Sequence, residues 1–121
     1  MKKLIAIVDD KVMIAKVIFT SLKEDYDFVY FDNPLKIIEW LKEGNRPDLI
    51  LSDIRMPKMT GDELLMHLKK DPYYKEIPII ILSAEDSSSM RIKLLENGAE
   101  DYVVKPFNPN ELKIRIKKIL G

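Results

Sequence analysis

The chain contains no cysteine, so disulfides and thiolate metal sites are excluded. That leaves the redox compartment open, and cytoplasmic is the simplest reading. Glycine is scarce: Gly44, Gly61, Gly98 and Gly121 are all there are, and they are too scattered for a glycine-rich phosphate loop. No apolar run approaches the ~20 residues that a membrane span requires. Met1-Lys2-Lys3 leads straight into a short strand-like run, which does not resemble a signal peptide. Nor is either sign of charge in excess, because 20 basic and 20 acidic residues cancel. No global field therefore favours nucleic acid or an anionic membrane, and neither is expected as a direct partner. Any strong charge must be local.

What is present is a chain of 121 residues, 46% hydrophobic and 33% charged, expected to be one domain over 1–121 with a real core. Its periodicity switches repeatedly between two patterns. LIAIV (4–8), DFVYF (27–31), DLILSD (48–53), IPIIILS (77–83) and DYVVK (101–105) read as strands. Between them lie helical stretches. The first carries Ile14, Val17, Ile18 and Leu22; the second opens on Asn33-Pro34; the third opens on a Thr60/Glu63 capping box and carries Leu64, Leu65 and Leu68. The fourth runs from about Ser88 to Asn97 and ends at Gly98; the last opens on Asn108-Pro109 and carries Leu112, Ile116, Ile119 and Leu120. Strict alternation of strand and helix implies a parallel sheet with helices on both faces, because parallel neighbours need crossover connections.

In such sheets the working site lies beyond the carboxyl ends of the strands. The first strand ends on Asp9 and Asp10, the third on Asp53, the fourth on Ser83 and the fifth on Lys105, followed by Pro106. Singly, each has a bland explanation: a helix cap, a turn residue, a loop hydroxyl, a solvated lysine. Their coincidence at equivalent ends of different strands lowers those explanations. Clustered carboxylates repel one another and are costly unless a hard cation is present, and magnesium takes one or two carboxylates plus water and phosphate oxygens. Asp9 and Asp10 thus read as a magnesium seat and Asp53 as a nucleophile that forms an aspartyl phosphate. Lys105 and Ser83 would neutralise and orient the phosphoryl oxygens. His67 reads as an exposed helix residue, and the tyrosines 73 and 74 and the methionines as packing or loop residues.

The pieces IVDD, LSDIRMPKMTG, IIILSA, NGAEDYVVKPF and the NPNEL helix start together resemble a response regulator receiver domain of two-component signalling over residues 3 to 120. The resemblance implies the doubly wound, flavodoxin-like α/β fold with strand order 2-1-3-4-5. It implies that Asp53 accepts a phosphoryl group from the phosphohistidine of a sensor histidine kinase or phosphotransfer protein. Magnesium would be held by Asp10, Asp53 and the backbone carbonyl of Arg55, with Asp9 acting largely through water. Lys105 and Ala84 would contact the phosphoryl group, Ser83 would be the switch hydroxyl, and Tyr102 the switch aromatic, swinging from an exposed to a buried rotamer. The Lys105-Pro106 bond is expected to be cis. So read, the chain is not an enzyme but a switch that assists its own phosphorylation and aspartyl-phosphate hydrolysis. Thr60 and Glu100 depart from the family's commoner residues without touching the chemistry. A haloacid-dehalogenase-type phosphatase would want an acid where Arg55 stands, and a pseudo-receiver would have lost the acids or the lysine. Whether the chain is a stand-alone receiver or part of a longer regulator stays open.

One surface is left over. On the last helix Ile114 lies roughly 200° around from Leu112 at ~100° per residue, off the core stripe. The fourth helix is apolar on two sides, Met90 and Leu94 on one, Ile92 and Leu95 on the other. Resemblance to receivers of winged-helix transcription factors implies a phosphorylation-promoted homodimer here, with Ile92, Leu95 and Ile114 at its centre. Arg91 would then pair with Glu111, Asp101 with Arg115 and Glu96 with Lys117 across the two-fold axis.

Overall fold

Each apolar run in the computed structural model, which describes residues 1–121, becomes a strand of one parallel sheet. The strands are β1 (Lys3–Val8), β2 (Tyr26–Phe31), β3 (Leu49–Asp53), β4 (Ile79–Ser83) and β5 (Asp101–Val104), in the order β2-β1-β3-β4-β5. The helices are α1 (Val12–Leu22), α2 (Pro34–Lys42), α3 (Gly61–Lys69), α4 (Ser88–Glu96) and α5 (Pro109–Leu120). Alternating strand residues feed two cores. Ala6, Val8, Ile50, Ile79 and Ile81 pack with α2, α3 and Leu94 of α4, whereas Ile5, Ile7, Leu49, Leu51, Ile80 and Leu82 pack with α1 and α5. Burial on both faces explains why the runs do not alternate with polar residues. Each such buried valine, leucine or isoleucine contributes about 1.5–3 kcal/mol.

The local signals act as their chemistry dictates. Asn33 and Asn108 accept backbone N–H groups at the starts of α2 and α5, and Thr60 and Glu63 form the reciprocal box at the start of α3. At the end of α4, Gly98 takes φ +110°, and the N–H groups of Gly98 and Ala99 bond back to the carbonyls of Leu95 and Leu94. This Schellman closure turns the chain into β5. Two expectations shift. The buried stripe of α1 is Ala15, Ile18 and Leu22, with Val17 exposed, because packing against β1 and α5 sets the rotation of the helix. Strand β4 starts at Ile79, since Pro78 has no N–H to donate to a ladder. No helix is long and apolar enough to cross a membrane.

Candidate functional site

Strand register carries the site. Val8 pairs with Ser52, Asp53 with Leu82, and Ser83 with Val104, so the residues that follow or end these strands reach one edge together. Asp9, Asp53 and Ser83 are buried there although polar, which demands partners. Asp9 has both of its oxygens occupied: Oδ1 accepts the Lys11 N–H at 2.8 Å and Oδ2 accepts Lys105 Nζ at 2.8 Å. Its carbonyl accepts the Tyr30 hydroxyl at 2.6 Å. Asp9 therefore helps to start α1 and holds the lysine at once. Lys105 Nζ also stands 3.5 Å from Asp53, whose Oδ1 accepts the Ile54 N–H at 2.8 Å. Burial pushes the Asp53 carboxyl above its ordinary range, the Lys105 charge pulls it back, and neighbouring Asp9 pushes it up again.

Asp10 differs from Asp9 in being exposed, and its one ion pair is with Lys11 at 3.8 Å. Ligand oxygens of Asp9, Asp10 and Asp53 lie within 4.8 Å of one another. The hard, all-oxygen donor set fits a small divalent cation, with Asp10 free to ligate directly and Asp9, already doubly engaged, suited to act through water. The cleft itself has a volume of about 210 Å³ and is lined by Asp53, Ser83, Ala84 and Lys105 together with Lys11, Ile14, Arg55 and Glu85. Ser83 Oγ accepts the Glu85 N–H at 3.0 Å, which leaves its hydroxyl hydrogen available to a ligand. The Lys105-Pro106 bond is cis.

Tyr102 has the buried of its two expected positions: the residue is 5% exposed, and its hydroxyl donates to the Glu85 carbonyl at 2.8 Å. The leftover surface is apolar as read, with Ile92, Leu95 and Ile114 exposed and Leu94 buried. Its ion pairs, however, form within the chain. Arg115 reaches Asp101 at 2.8 Å and Glu111 at 3.0 Å, which raises its pKa further, and Arg91 pairs with Asp86. Four of the residues expected to pair across a two-fold axis, Arg91, Asp101, Glu111 and Arg115, thus have partners within one copy. Glu96 and Lys117 are exposed and make no ion pair in the chain.

Two contributors go unmarked in the sequence reading, and Arg55 and Glu85, which flank the site in sequence, turn out to be joined to each other. The Ser52 hydroxyl donates to the Asp53 carbonyl at 2.9 Å. Gly61 lies so close to the same carbonyl that a Cβ there would stand 2.0 Å from its oxygen. The Arg55 side chain pairs with Glu85, its Nε 2.7 Å from Oε1. A glycine at the first helical position, directly after a threonine cap, was the available signal for the second.

Comparison with known proteins agrees with this geometry. The family model for the response regulator receiver domain matches residues 5–117. The chain is 40% identical to histidine kinase P4 of Formosa agariphila over 119 residues, 98% of this chain and 9% of that protein. It is 39% identical to the phosphate regulon transcriptional regulatory protein PhoB of Pseudomonas aeruginosa, covering 98% of this chain and 52% of that one. The chain thus spans at most about half the length of these relatives. Among solved structures, the receiver domain of a signal transduction histidine kinase from Syntrophus aciditrophicus matches with a TM-score of 0.88 and 33% identity, over 98% of this chain and 89% of that one. Chemotaxis protein CheY4 of Vibrio cholerae matches with a TM-score of 0.88 and 28% identity, over 98% and 99% of the two chains. With its strand order, its acidic strand ends and a family match running nearly end to end, the chain belongs to the response regulator receiver domain family of two-component signalling.

Proposed function

We propose that Asp53 is the phosphoacceptor, taking a phosphoryl group from the phosphohistidine of a sensor histidine kinase or phosphotransfer protein in the cytoplasm. The observation that carries this reading is the placement of one ammonium between two buried carboxylates, Lys105 Nζ being 2.8 Å from Asp9 and 3.5 Å from Asp53. A carboxylate oxygen of Asp53 attacks phosphorus, the P–N bond to the donor imidazole breaks, and its electron pair leaves with the imidazole nitrogen. Lys105 compensates charge on the phosphoryl oxygens, and the Ser83 hydroxyl and the Ala84 backbone at the cleft mouth orient them. Asp10, Asp53 and the Arg55 carbonyl would hold magnesium, which when bound would supply further neutralisation of phosphoryl charge. The same arrangement admits water, so the chain also assists hydrolysis of its own aspartyl phosphate. Incubation with a small phosphodonor and magnesium, followed by intact-mass measurement, tests the reading. One added phosphoryl group is expected, and an unchanged mass would favour a pseudo-receiver.

Asp10→Ala is expected to keep the fold and to weaken magnesium binding at least about tenfold, because it removes an exposed ligand that supports no other contact of the site. Magnesium titration by calorimetry reads this, and unchanged affinity would move the metal seat elsewhere.

Output is proposed to pass through α4, β5 and α5, with a homodimer promoted by phosphorylation. Ile92, Leu95 and Ile114, at 55%, 40% and 58% exposure, supply an apolar centre. Arg115 must exchange its internal partners for those of a second copy, so its pairs set register more than affinity. Ile114→Asp is therefore expected to weaken self-association in beryllofluoride at least about tenfold. Arg115→Ala should cost no more than about threefold. Sedimentation reads both, and a monomer with and without beryllofluoride would rule the dimer out.

A further inference from the structure

Glu85 lies two residues beyond Ser83, and each of its polar groups is engaged. Its N–H donates to Ser83 Oγ at 3.0 Å, and its carbonyl accepts the Tyr102 hydroxyl at 2.8 Å. Its carboxylate accepts two nitrogens of Arg55, Nε at 2.7 Å and Nη2 beside it. One loop residue thus ties the switch hydroxyl, the switch aromatic and the loop that follows Asp53. Beyond it, the Arg91 guanidinium lies 5.7 Å from the Tyr102 ring centroid and pairs with Asp86.

Little else holds the loop between β4 and α4. Ala84 and Asp86 are exposed, and no apolar side chain from residues 84–87 enters either core. A segment with so few buried contacts opens at low free-energy cost. A two-point guanidinium–carboxylate contact is then a large share of what keeps it closed.

We infer that the Arg55–Glu85 pair is a positioning strap: by fixing the loop it presents the Glu85 carbonyl to Tyr102 and biases the ring inward before any phosphoryl group arrives. A two-state element responds only to interactions that differ between its states, and this pair exists only with the loop closed. The Arg55 side chain is 72% exposed, so the bias is modest, about two- to fivefold in the inward-to-outward ratio, and salt weakens it. The consequence for signalling rests on Tyr102 being the switch aromatic; the bias itself requires neither metal nor phosphate.

The test places 3-fluorotyrosine at position 102 alone and reads the ring by fluorine NMR without magnesium or phosphodonor. Arg55→Ala and Glu85→Ala are each expected to lower the inward-to-outward ratio about threefold, and the double variant no further, since both remove one pair. Glu85→Ala keeps the backbone carbonyl, so a loss there is assigned to the carboxylate. An unchanged ratio in the folded single variants, or losses that simply add in the double variant, would overturn the strap. Repeating the series in Asp53→Asn keeps the outcome separate from the phosphoacceptor assignment.

Discussion

Asp53→Asn is expected to gain no phosphoryl group under conditions in which the wild type gains one, a loss of at least ~10³-fold in rate. Asparagine keeps an acceptor for the Ile54 N–H, which Asp53 Oδ1 now receives at 2.8 Å, so the strand end has no reason to move. What disappears is the anionic oxygen. Neighbouring Asp9 cannot substitute for it, because both its oxygens are bound by Lys11 and Lys105. Intact mass after incubation with phosphodonor and magnesium decides this, and labelling of the variant at the wild-type rate would remove Asp53 from the chemistry. The same variant has a second, opposite effect. Burial raises the folded-state pKa of Asp53 above its ordinary value of 3.8. Protonation therefore stabilises the native state fully below pH 3.8, and that contribution is lost as pH rises through the folded-state value. A neutral side chain at position 53 does not suffer this loss. Metal-free Asp53→Asn is expected to melt above the wild type at pH 7, with the gap closing towards pH 3.8. Magnesium should narrow it at pH 7 by binding the wild type. Equal melting temperatures at pH 7 without metal would mean that Lys105 fully offsets the burial cost.

The convergence of Asp9, Asp53, Ser83 and Lys105 was legible because it depends on one topological fact. Parallel strands joined by crossover helices must end on the same edge, and apolar runs mark where each ends. Backbone caps at Asn33, Thr60 and Asn108 were legible because they are local. Contacts between side chains from different elements follow no period, so no sequence pattern reveals them. Arg115 stands 2.8 Å from Asp101 of its own chain, a proximity that tertiary packing sets and no sequence period shows. The Tyr102 hydroxyl meets the Glu85 carbonyl through a loop conformation, and nothing in the sequence links the two. Val17 and Ala15 differ by the rotation of α1, which its neighbours fix and its own period does not. Function was clearer than packing, since the charges that perform it must sit at strand ends.

Gly61→Ala is expected to damage stability and phosphorylation together, although no chemistry belongs to the residue. A Cβ at this position would lie 2.0 Å from the Asp53 carbonyl oxygen and 3.0 Å from both the Asp53 carbonyl carbon and Ile54 Cα. All three are backbone atoms, so no rotamer change relieves the clash, and β3 must part from the start of α3. That movement strains the Gly61 N–H bond to the Ile54 carbonyl, now 2.8 Å, and the Ser52 hydroxyl bond to the Asp53 carbonyl, now 2.9 Å. Overpacking against fixed backbone costs about 3 kcal/mol here, the upper part of the usual range. The displaced peptide is that of Asp53 itself, and errors near 1 Å in a reacting group reduce rates by up to ~10². Denaturant unfolding should show the stability loss. Labelling below the unfolding transition should be at least about tenfold slower at equal folded fraction. Gly98→Ala is the control. Its cost of about 1 kcal/mol comes from a left-handed backbone at φ +110°. The nearest atoms to its new Cβ belong to the flexible Lys69 side chain, away from the acidic edge, so its labelling rate should match the wild type. A Gly61→Ala variant that labels as fast as Gly98→Ala would show that the start of α3 does not position Asp53.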